Sequence, residues 1–463
     1  MEALQRLHNR GSISTGYDID NSCKFEDAND EYLTRTNASG TNDKTFTVSF
    51  WCKRSKLGGT QELWDGGVHS EGTRIGFGLS SDELWLDIGK TTKYRSSTTQ
   101  KFRDTSAWYH IVWKVDTTQS TEADRFRVYV NGEEITDWAS RQYPTQNFET
   151  SVYSGTLARI GSYDSTYHGF SGYMAEFNYL DGLSVAPTEF GEYDDDSGIW
   201  KPKEYTGSYP GQSAYLDFKL ASDLGANAKG DDTNWTEVNL AAADQATDTP
   251  TNNFCTLNPN VKFKYGSLMT NGATTFGDDT AGGVGGAFGT MAVTKGKWYW
   301  EVKLTQQNSH YIGISAVDDG DNVTASSDPH QINSSFRFNI LGARIEYINN
   351  GTNTNGSLDA FTDFHSVGDI IGIALNMDDN QISIYGNGTL QSGVANTSIY
   401  DAADKMVVPL HGTINDECQY NFGGYSAWTP SSAETDANGY GTFEYAPPSG
   451  YYALCTKNLE EYG

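Results

Sequence analysis

The sequence predicts an all-β protein with two antiparallel β-sandwich (jelly-roll) domains joined by a packed irregular connector. Aromatic residues and glycine are abundant, with 11 Trp, 28 Tyr, 21 Phe and 49 Gly in 463 residues. Aromatic side chains favour pleated sheets, whereas glycine favours the tight turns between strands. Short segments with apolar residues at alternate positions recur along the chain. No helical 3.6-residue pattern of useful length interrupts them.

The first predicted sandwich covers residues 23–186. Thr45–Cys52 (TFTVSFWC) alternates aromatic or aliphatic side chains with hydroxyl-bearing ones. Trp108–Val115 (WYHIVWKV) is followed by Arg125–Asn131 (RFRVYVN), in which the apolar residues share one face. Asn131 and Gly132 then supply the tight turn that a two-residue hairpin requires. Evenly spaced strands of this kind indicate an antiparallel sandwich.

The second predicted sandwich covers residues 256–428. Lys297–Leu304 (KWYWEVKL) places two tryptophans, a valine and a leucine on one face of a strand. Further strands are predicted at His310–Ser315, Gly368–Leu375, Gln381–Tyr385, Val407–Leu410 and Gln419–Phe422.

Three other segments lack a core pattern of their own. Residues 1–22 form a polar, mildly basic N-terminal arm that either adds to a neighbouring surface or is a disordered leader. Residues 187–255 are rich in Asp, Asn and Gly and form the connector, whose tyrosines suggest packing against the sandwiches. Residues 429–463 form a C-terminal tail.

The strand motifs of both sandwiches resemble known families. FTVSFWCKRS, WYHIVWKVD, FRVYVNGEEI and the closing GYMAEFNYLDG resemble the laminin-G-like, concanavalin-A-like lectin sandwich. GKWYWEV, YIGIS, GDIIGIALNMDD and QYNFGG resemble the SPRY (B30.2-like) domain. Tyr385 stands where that family usually has a basic or hydrophobic residue. The resemblance therefore does not imply peptide recognition of the family's kind. The segment from Tyr205 to Pro259 is similar to a linker in marine bacteriophage structural proteins that carry both sandwiches. The resemblance implies a virion structural or tail-fibre-like protein.

Charge and hydropathy limit the classes of partner. Sixty acidic residues against 32 basic ones give a formal charge of −28, which repels phosphate backbones and anionic membrane surfaces. Nucleic-acid binding is therefore not expected. No segment approaches the ~20 apolar residues of a membrane span, so membrane insertion is not expected either.

The cysteines and the N-terminus bear on where the protein folds and functions. Cys23, Cys52, Cys255, Cys418 and Cys455 are an odd number without CxxC spacing, so neither a disulfide framework nor a zinc site is expected. The pattern suits folding in a reducing cytoplasm. The N-terminus lacks the apolar core of a secretory signal. Release of virions by lysis is consistent with both features, and we expect a virion location.

No catalytic or cofactor-binding residues are predicted. Glucanases of the concanavalin-A-like fold place carboxylates in ExDxE or ExDxxE on one strand, and neither spacing occurs. The glycine-rich segment 282–286 lacks the Lys-Ser/Thr of a phosphate loop, and a hairpin tip or loop is expected there. The histidines form neither HExxH nor an H-x-H pair, and His110 and His310 are predicted to be ordinary sheet residues; the eight are His8, His69, His110, His168, His310, His330, His365 and His411.

Two kinds of ligand contact stay open from the sequence. Structural calcium is one alternative, since Asp318, Asp319, Asp321 and Asn322 resemble half of an EF-hand-type loop without its bidentate Glu. The other acidic pairs and runs are expected in turns, at Asp194–Asp196, Asp278–Asp279 and Asp378–Asp379. The second alternative is stacking of sugars on exposed aromatic residues, for which the candidates are Trp64 with Asp65, Trp85 and Tyr163–Tyr167. The more ordinary role of such large aromatic residues is to fill the ends of a sandwich.

The expected function is that of a non-enzymatic virion component: a tail fibre, a baseplate-associated protein or a head-decoration protein. It would contact host-surface glycans, other virion proteins or both, as a homo-oligomer for which a trimer is the working hypothesis. The alternatives are a bacterial surface lectin or adhesin and a polysaccharide-cleaving enzyme.

Overall fold

The structure is a computed structural model of the chain that forms two compact units. The first contains the described residues up to Thr251, and the second runs from Asn252 to Gly463. The described residues are 16–38, 42–67, 71–152, 155–162, 168–230, 233–261, 267–278, 284–306, 309–317, 335–349, 352–355, 366–395, 397–399, 405–414 and 417–463.

The first sheet of the first unit has nine described strands. Seven of them follow one another in the order β10-β9-β8-β3-β13-β1-β19, while β16 pairs with β13 and β17 with β16. The strands are β1 (Ser22–Phe25), β3 (Thr45–Arg54), β8 (Tyr109–Asp116), β9 (Phe126–Val130), β10 (Glu133–Glu134), β13 (Gly172–Asp181), β16 (Ala214–Leu216), β17 (Lys229–Gly230) and β19 (Gln245–Ala246).

The second sheet of this unit has eight described strands in the order β11-β7-β6-β5-β4-β12-β2-β18. A separate two-stranded ribbon joins β14 to β15. The strands are β2 (Tyr32–Thr36), β4 (Gln61–Asp65), β5 (Arg74–Phe77), β6 (Glu83–Gly89), β7 (Lys93–Lys101), β11 (Trp138–Ser140), β12 (Leu157–Ile160), β14 (Gly191–Tyr193), β15 (Trp200–Pro202) and β18 (Thr236–Val238).

Alternation along the strands builds the core of the first unit. Phe46, Val48 and Phe50 of β3 are buried against residues of the eight-stranded sheet, as the sequence predicts. The predicted hairpin turn is also confirmed, since Asn131 and Gly132 join β9 to β10 with φ values of 50° and 82°. Positive φ at both central residues gives a turn whose twist matches that of the strands.

The predicted connector 187–255 belongs, up to Thr251, to the first unit. It supplies β16 to β19, and these strands extend both large sheets. Its Phe218, Leu224 and Trp235 are buried in the core of that unit. The low apolar content hid this role because backbone hydrogen bonds, which a sequence pattern does not reveal, hold its short strands in place. The described end of the N-terminal arm also packs here, where the Ile19 amide donates to Thr251 Oγ1 at 3.0 Å.

The second unit is also a sandwich, with nine described strands in one sheet and six in the other. The first sheet has the order β20-β21-β33-β23-β28-β29-β30, with β31 paired to β29 and β34 to β23. Its strands are β20 (Ser267–Thr270), β21 (Thr275–Asp278), β23 (Lys297–Leu304), β28 (Ile370–Asn376), β29 (Gln381–Gly386), β30 (Thr389–Leu390), β31 (Thr397–Ser398), β33 (Glu417–Asn421) and β34 (Tyr452–Ala453).

The six-stranded sheet of the second unit has the order β22-β32-β24-β25-β26-β27. Trp298, Trp300 and Val302 of β23 lie in the core between the two sheets, as predicted. The strands are β22 (Val284–Phe288), β24 (Ser309–Ala316), β25 (Ser335–Asn339), β26 (Arg344–Asn349), β27 (Thr352–Asn355) and β32 (Val407–Ile414).

Two sequence expectations for the second unit are corrected. Gly285 and Gly286 lie in β22 rather than in a loop, because their backbone groups pair with those of β32 and this pairing needs no side chain. Residues 282–283 lie outside the described residues. The tail 429–463 is part of the unit, since β34 pairs in parallel with β23 and the helix α1 (Thr456–Tyr462) buries Leu459 in the core. Sequence periodicity gave no sign of either feature.

All five cysteines are buried thiols. Within the residues that the structure describes, no helix is long and apolar enough to cross a membrane.

Candidate functional site

A pocket lies on the outer face of the nine-stranded sheet of the first unit. Residues of β3, β8 and β13 that alternate with core residues form its floor, and the segment after β13 contributes walls. We call it the Glu176 pocket. Its lining residues are Tyr17, Ser49, Trp51, His110, Glu176, Asn178, Phe190, Pro202 and Lys203.

A β-bulge places the Glu176 side chain. The pairing of β13 with β3 changes register between Ala175 and Asn178, and Glu176 has a φ of 52°. Residues other than glycine rarely adopt this left-handed conformation within a strand, and a bulge redirects the side chain that carries it. Strained backbone of this kind is concentrated at functional sites, which makes this carboxylate a candidate ligand contact.

Two tyrosine hydroxyl groups hold the Glu176 carboxylate. The hydroxyl of Tyr17 donates to Oε2 at 2.6 Å, and that of Tyr215 donates to Oε1 at 2.8 Å. Burial raises the pKa of Glu176 to about 7, although these two hydrogen bonds lower it. The carboxyl group therefore changes charge near neutral pH.

The rest of the pocket offers polar groups beside aromatic rings. The hydroxyl of Tyr209 donates to Asn178 Oδ1 at 2.5 Å, and Asn178 Nδ2 donates to the Glu176 carbonyl at 3.0 Å. At the exposed rim, Lys203 Nζ donates to the carbonyl of Thr188 at 3.0 Å. The cavity has room for about one water molecule, so only a single protruding polar group of a ligand, such as a hydroxyl group, can enter it.

His110 is a structural part of the pocket wall. Its ring stacks on Trp51, with centroids 4.6 Å apart, and Trp200 Nε1 donates to its Nδ1 at 2.9 Å. With Nδ1 as the acceptor, Nε2 carries the proton and donates to Ser49 Oγ at 2.9 Å. Burial lowers the pKa of His110 to about 3. It is the satisfied sheet histidine that the sequence predicts.

A cluster of charged residues surrounds Trp85 on the outer face of the eight-stranded sheet. Antiparallel pairing places Arg74 and Arg95 opposite Asp87, and Gly76 opposite both Glu62 and Trp85. These side chains lie on the face opposite the core residues of the same strands. We call Glu62, Arg74, Trp85, Asp87 and Arg95 the Trp85 cluster.

Ion pairs tie the Trp85 cluster together. Arg95 binds both oxygens of Asp87 at 2.7 Å, and Arg74 Nη2 is 3.0 Å from Asp87 Oδ2. Both guanidinium groups lie over the Trp85 ring, at 5.2 and 5.5 Å from its centroid. Arg74 is also 3.5 Å from Glu62 Oε2. Burial raises the pKa of Glu62 well above its usual value, although Arg74 lowers it.

The aromatic residues considered for sugar stacking do not lie on an open surface. Trp64 is buried in the core, and Asp65 is buried with its Oδ1 accepting from the Gly67 amide at 2.7 Å. Trp85 faces outward from the sheet but is 1% exposed. Tyr163–Tyr167 lie outside the described residues. For Trp64 the role as a plug of the sandwich is confirmed.

The acidic pairs mostly cap turns, as expected. Asp194 Oδ1 accepts from the Ser197 amide at 2.8 Å, and Asp378 Oδ1 accepts from the Gly296 amide at 2.8 Å. Asp278 differs in ending β21. The loop considered for calcium, with Asp318, Asp319, Asp321 and Asn322, lies outside the described residues, as do Asp279, His8, His69, His330 and His365.

Sequence reasoning missed two groups of residues that the structure brings together. The Glu176 pocket joins residues up to 186 positions apart, from Tyr17 to Lys203, and its one signal was a glutamate within the apolar strand GYMAEFNYL. The second group is a possible set of metal ligands. Within the described part of the chain, His310, His411 and Cys418 bring ligand atoms within 4.8 Å of one another. No short motif could reveal it, because the three lie on different strands.

Comparison with known families agrees with both sandwiches. Residues 27–184 match the family described as the concanavalin A-like lectin/glucanases superfamily, and residues 297–425 match the SPRY domain. The chain thus carries a laminin-G/concanavalin-A-like lectin-type domain and a SPRY domain. No curated protein matches the chain.

Solved structures similar to this chain include three from different organisms. A Bacteroides ovatus protein to which carbohydrate binding is ascribed is 16% identical, with a TM-score of 0.33, over 48% of this chain and 59% of that one. This chain therefore spans less than two thirds of the length of the Bacteroides protein. The SPRY domain of human HERC1 is 18% identical, with a TM-score of 0.25, over 35% of this chain and 96% of that one. Domains LG4-5 of the mouse laminin α1 chain are 10% identical, with a TM-score of 0.32, over 88% and 90%.

Proposed function

We propose that this chain is a non-enzymatic virion structural protein that attaches to host-surface glycans, to neighbouring virion subunits or to both. A tail fibre, a baseplate-associated protein and a head-decoration protein are the forms this role takes. The lectin-type fold of residues 27–184 supports the binding role. The likeness of the connector to those of marine bacteriophage structural proteins supports the virion. A rigid sandwich suits attachment because its surface loops vary without loss of the core.

The observation that carries the binding role is the Glu176 pocket. A sugar ring presents hydroxyl groups at its edge and C–H groups on its faces. The pocket has room for about one hydroxyl group, to which it offers the Glu176 carboxylate and the Asn178 amide. Trp51 and Phe190 border it, but each is only 4% exposed. The Lys203 ammonium group at the rim adds a donor. We therefore propose that a hydroxyl group of a sugar residue of a surface polysaccharide enters this site.

The arrangement of carboxylates favours binding over hydrolysis. Glycoside hydrolysis needs two carboxyl groups across the scissile bond, and Glu176 is the one carboxylate among the lining residues of the pocket. In the Trp85 cluster, Arg74 and Arg95 hold both oxygens of Asp87, and Glu62 is completely buried. A carboxylate held in this way is a poor nucleophile.

Mass spectrometry of purified virions tests the virion role against that of a bacterial surface lectin or adhesin, which the fold fits equally well. The virion role predicts the protein in intact particles at a stoichiometry that survives density-gradient purification. Its presence on cell envelopes and its absence from every particle preparation would instead favour the adhesin.

A further inference from the structure

Three potential metal ligands of the second unit converge between its two sheets. His310 of β24 and His411 of β32 belong to the six-stranded sheet, whereas Cys418 of β33 belongs to the nine-stranded sheet. One ligand atom from each lies within 4.8 Å of the other two. All three side chains are buried, at 0%, 1% and 0% exposure. The group therefore lies inside the sandwich.

Strand pairing fixes the three positions. His411 lies opposite Ile312, and His310 is two residues before Ile312 on the same strand. Side chains two residues apart share a face of a strand, so both imidazoles are on the face of the buried Ile312. Cys418 lies opposite Phe276, and both are core residues. The backbone thus holds the three side chains close together without help from a flexible loop.

Hydrogen bonds orient the two imidazoles. His310 Nε2 is 3.3 Å from the carbonyl oxygen of Gln306, and a carbonyl can only accept, so Nε2 carries the proton and Nδ1 the lone pair. His411 Nδ1 is 3.0 Å from the Tyr420 hydroxyl oxygen. When Nδ1 donates to that oxygen, the lone pair is on Nε2, which is 3.5 Å from Cys418 Sγ. Metal-binding histidines usually donate their second ring nitrogen in this way.

The ligand set and its spacing select the metal. One thiolate and two imidazoles suit zinc, whereas calcium and magnesium prefer oxygen ligands. A tetrahedral zinc ion with bonds of about 2.3 Å to sulfur and about 2.0 Å to nitrogen separates those two ligands by about 3.5 Å. Cys418 Sγ is 3.5 Å from His411 Nε2, which matches this separation, but it is also 3.7 Å from His411 Nδ1. The sulfur therefore lies beside the ring and has to rotate about the Cα–Cβ bond of Cys418 to reach an ion held by Nε2.

We propose that His310, His411 and Cys418 bind one zinc ion through His310 Nδ1, His411 Nε2 and Cys418 Sγ. Binding displaces the thiol proton of Cys418 to solvent and leaves a fourth position for water or another small ligand. The ion links the two sheets of the second unit at the middle of β32 and the start of β33. Tyr420 acts as a positioning residue, because it orients the His411 ring.

Metal analysis of the full-length protein tests this site with zinc alone and with cobalt alone. We expect one zinc ion per chain to remain after gel filtration. The Co²⁺ form should show intense tetrahedral d–d bands and a thiolate-to-metal charge-transfer band. The Cys418→Ser variant should lose the bound zinc and the charge-transfer band. The Cys455→Ser variant, which changes another buried thiol of the same unit, should keep the zinc and the band. Wild-type protein that retains no zinc, or whose cobalt form lacks the charge-transfer band, would overturn the proposal.

A second variant guards against loss of folding in Cys418→Ser. Tyr420→Phe keeps the ring and removes the hydroxyl that orients His411, so we expect zinc affinity to fall about 10-fold to about 100-fold. The wild-type melting temperature should rise with zinc but not with magnesium, and the rise should be smaller in Tyr420→Phe at limiting zinc. Equal zinc affinity in wild type, Tyr420→Phe and Cys418→Ser would place any bound metal elsewhere and contradict the assignment.

Discussion

At the scale of single residues, Glu176 combines a strained backbone with a carboxyl group that is only partly charged at neutral pH. Its φ of 52° aims the side chain at Tyr17 and Tyr215, and burial raises its pKa to about 7. A pocket with such a group can change its preference between hydrogen-bond donors and acceptors over a narrow range of pH. The same property makes the stability of the protein depend on pH.

The raised pKa of Glu176 fixes the sign of that dependence. The unfolded carboxyl loses its proton near the usual value of 4.5, whereas the folded one keeps it up to about 7. Between these values the unfolded state binds fewer protons, so the stability from this group is present below about pH 4.5 and is lost as pH rises to about 7. Glu301 acts in the same direction, since burial raises its pKa to about 7.

Glu176→Gln should therefore reduce the fall in the free energy of unfolding between pH 4.5 and pH 7. Urea unfolding at a series of pH values measures this fall. Glu189→Gln, at an exposed position, is the matched control and should leave the wild-type dependence intact. An identical pH dependence in Glu176→Gln and wild type would show that this carboxyl titrates normally in the folded state.

At the scale of elements, the strands with alternating apolar residues could be predicted and the strands without them could not. β3, β8, β9 and β23 follow from residues such as Phe46, Val128 and Trp300, because one face must be buried. β16 is three residues long and β19 is two residues long, and the sequence that flanks them is mostly polar. Only their pairing with distant strands defines them.

The candidate sites were hidden for a related reason. Tyr17 precedes β1, Lys203 follows β15, and both line the Glu176 pocket through tertiary packing across sequence separations that no motif spans. A bulge in β13 then changes which way Glu176 points, and simple alternation does not predict bulges. Sequence patterns therefore identified the scaffold, whereas the sites required the register of its strands.

The segment 187–251 offers a test of this account at the element scale. Trp235 is buried in the first core, with its ring 5.9 Å from that of Phe177. Trp235→Ala should lower the free energy of unfolding of the first unit by about 3–5 kcal/mol, as truncation of a buried aromatic does. Leu220 of the same segment is 53% exposed, and Leu220→Ala should change the free energy of unfolding by about 0.5 kcal/mol or less. Equal, small effects in urea unfolding would mean that the segment is a detachable connector.

At the scale of the whole molecule, a net charge of −28 sets the conditions for attachment. Anionic polysaccharides are repelled at low ionic strength, and screening shortens this repulsion to about 8 Å at physiological salt. Neutral glycans do not experience this electrostatic repulsion. A homo-oligomer, such as the proposed trimer, would strengthen weak single contacts through effective concentration. Both considerations favour weak, repeated binding to abundant surface sugars over one tight contact.

The central claim is that the Glu176 pocket binds glycan without cleaving it. The most direct measurement incubates the purified full-length protein with a panel of algal and bacterial polysaccharides, and records both retention and released reducing ends. We predict retention without release. Lys203→Ala should weaken retention by about tenfold, as expected for loss of a charged hydrogen bond, while the exposed Lys56→Ala should not. Sustained release of reducing ends by the stringently purified protein, or retention that Lys203→Ala and Glu176→Gln leave unchanged, would contradict the claim.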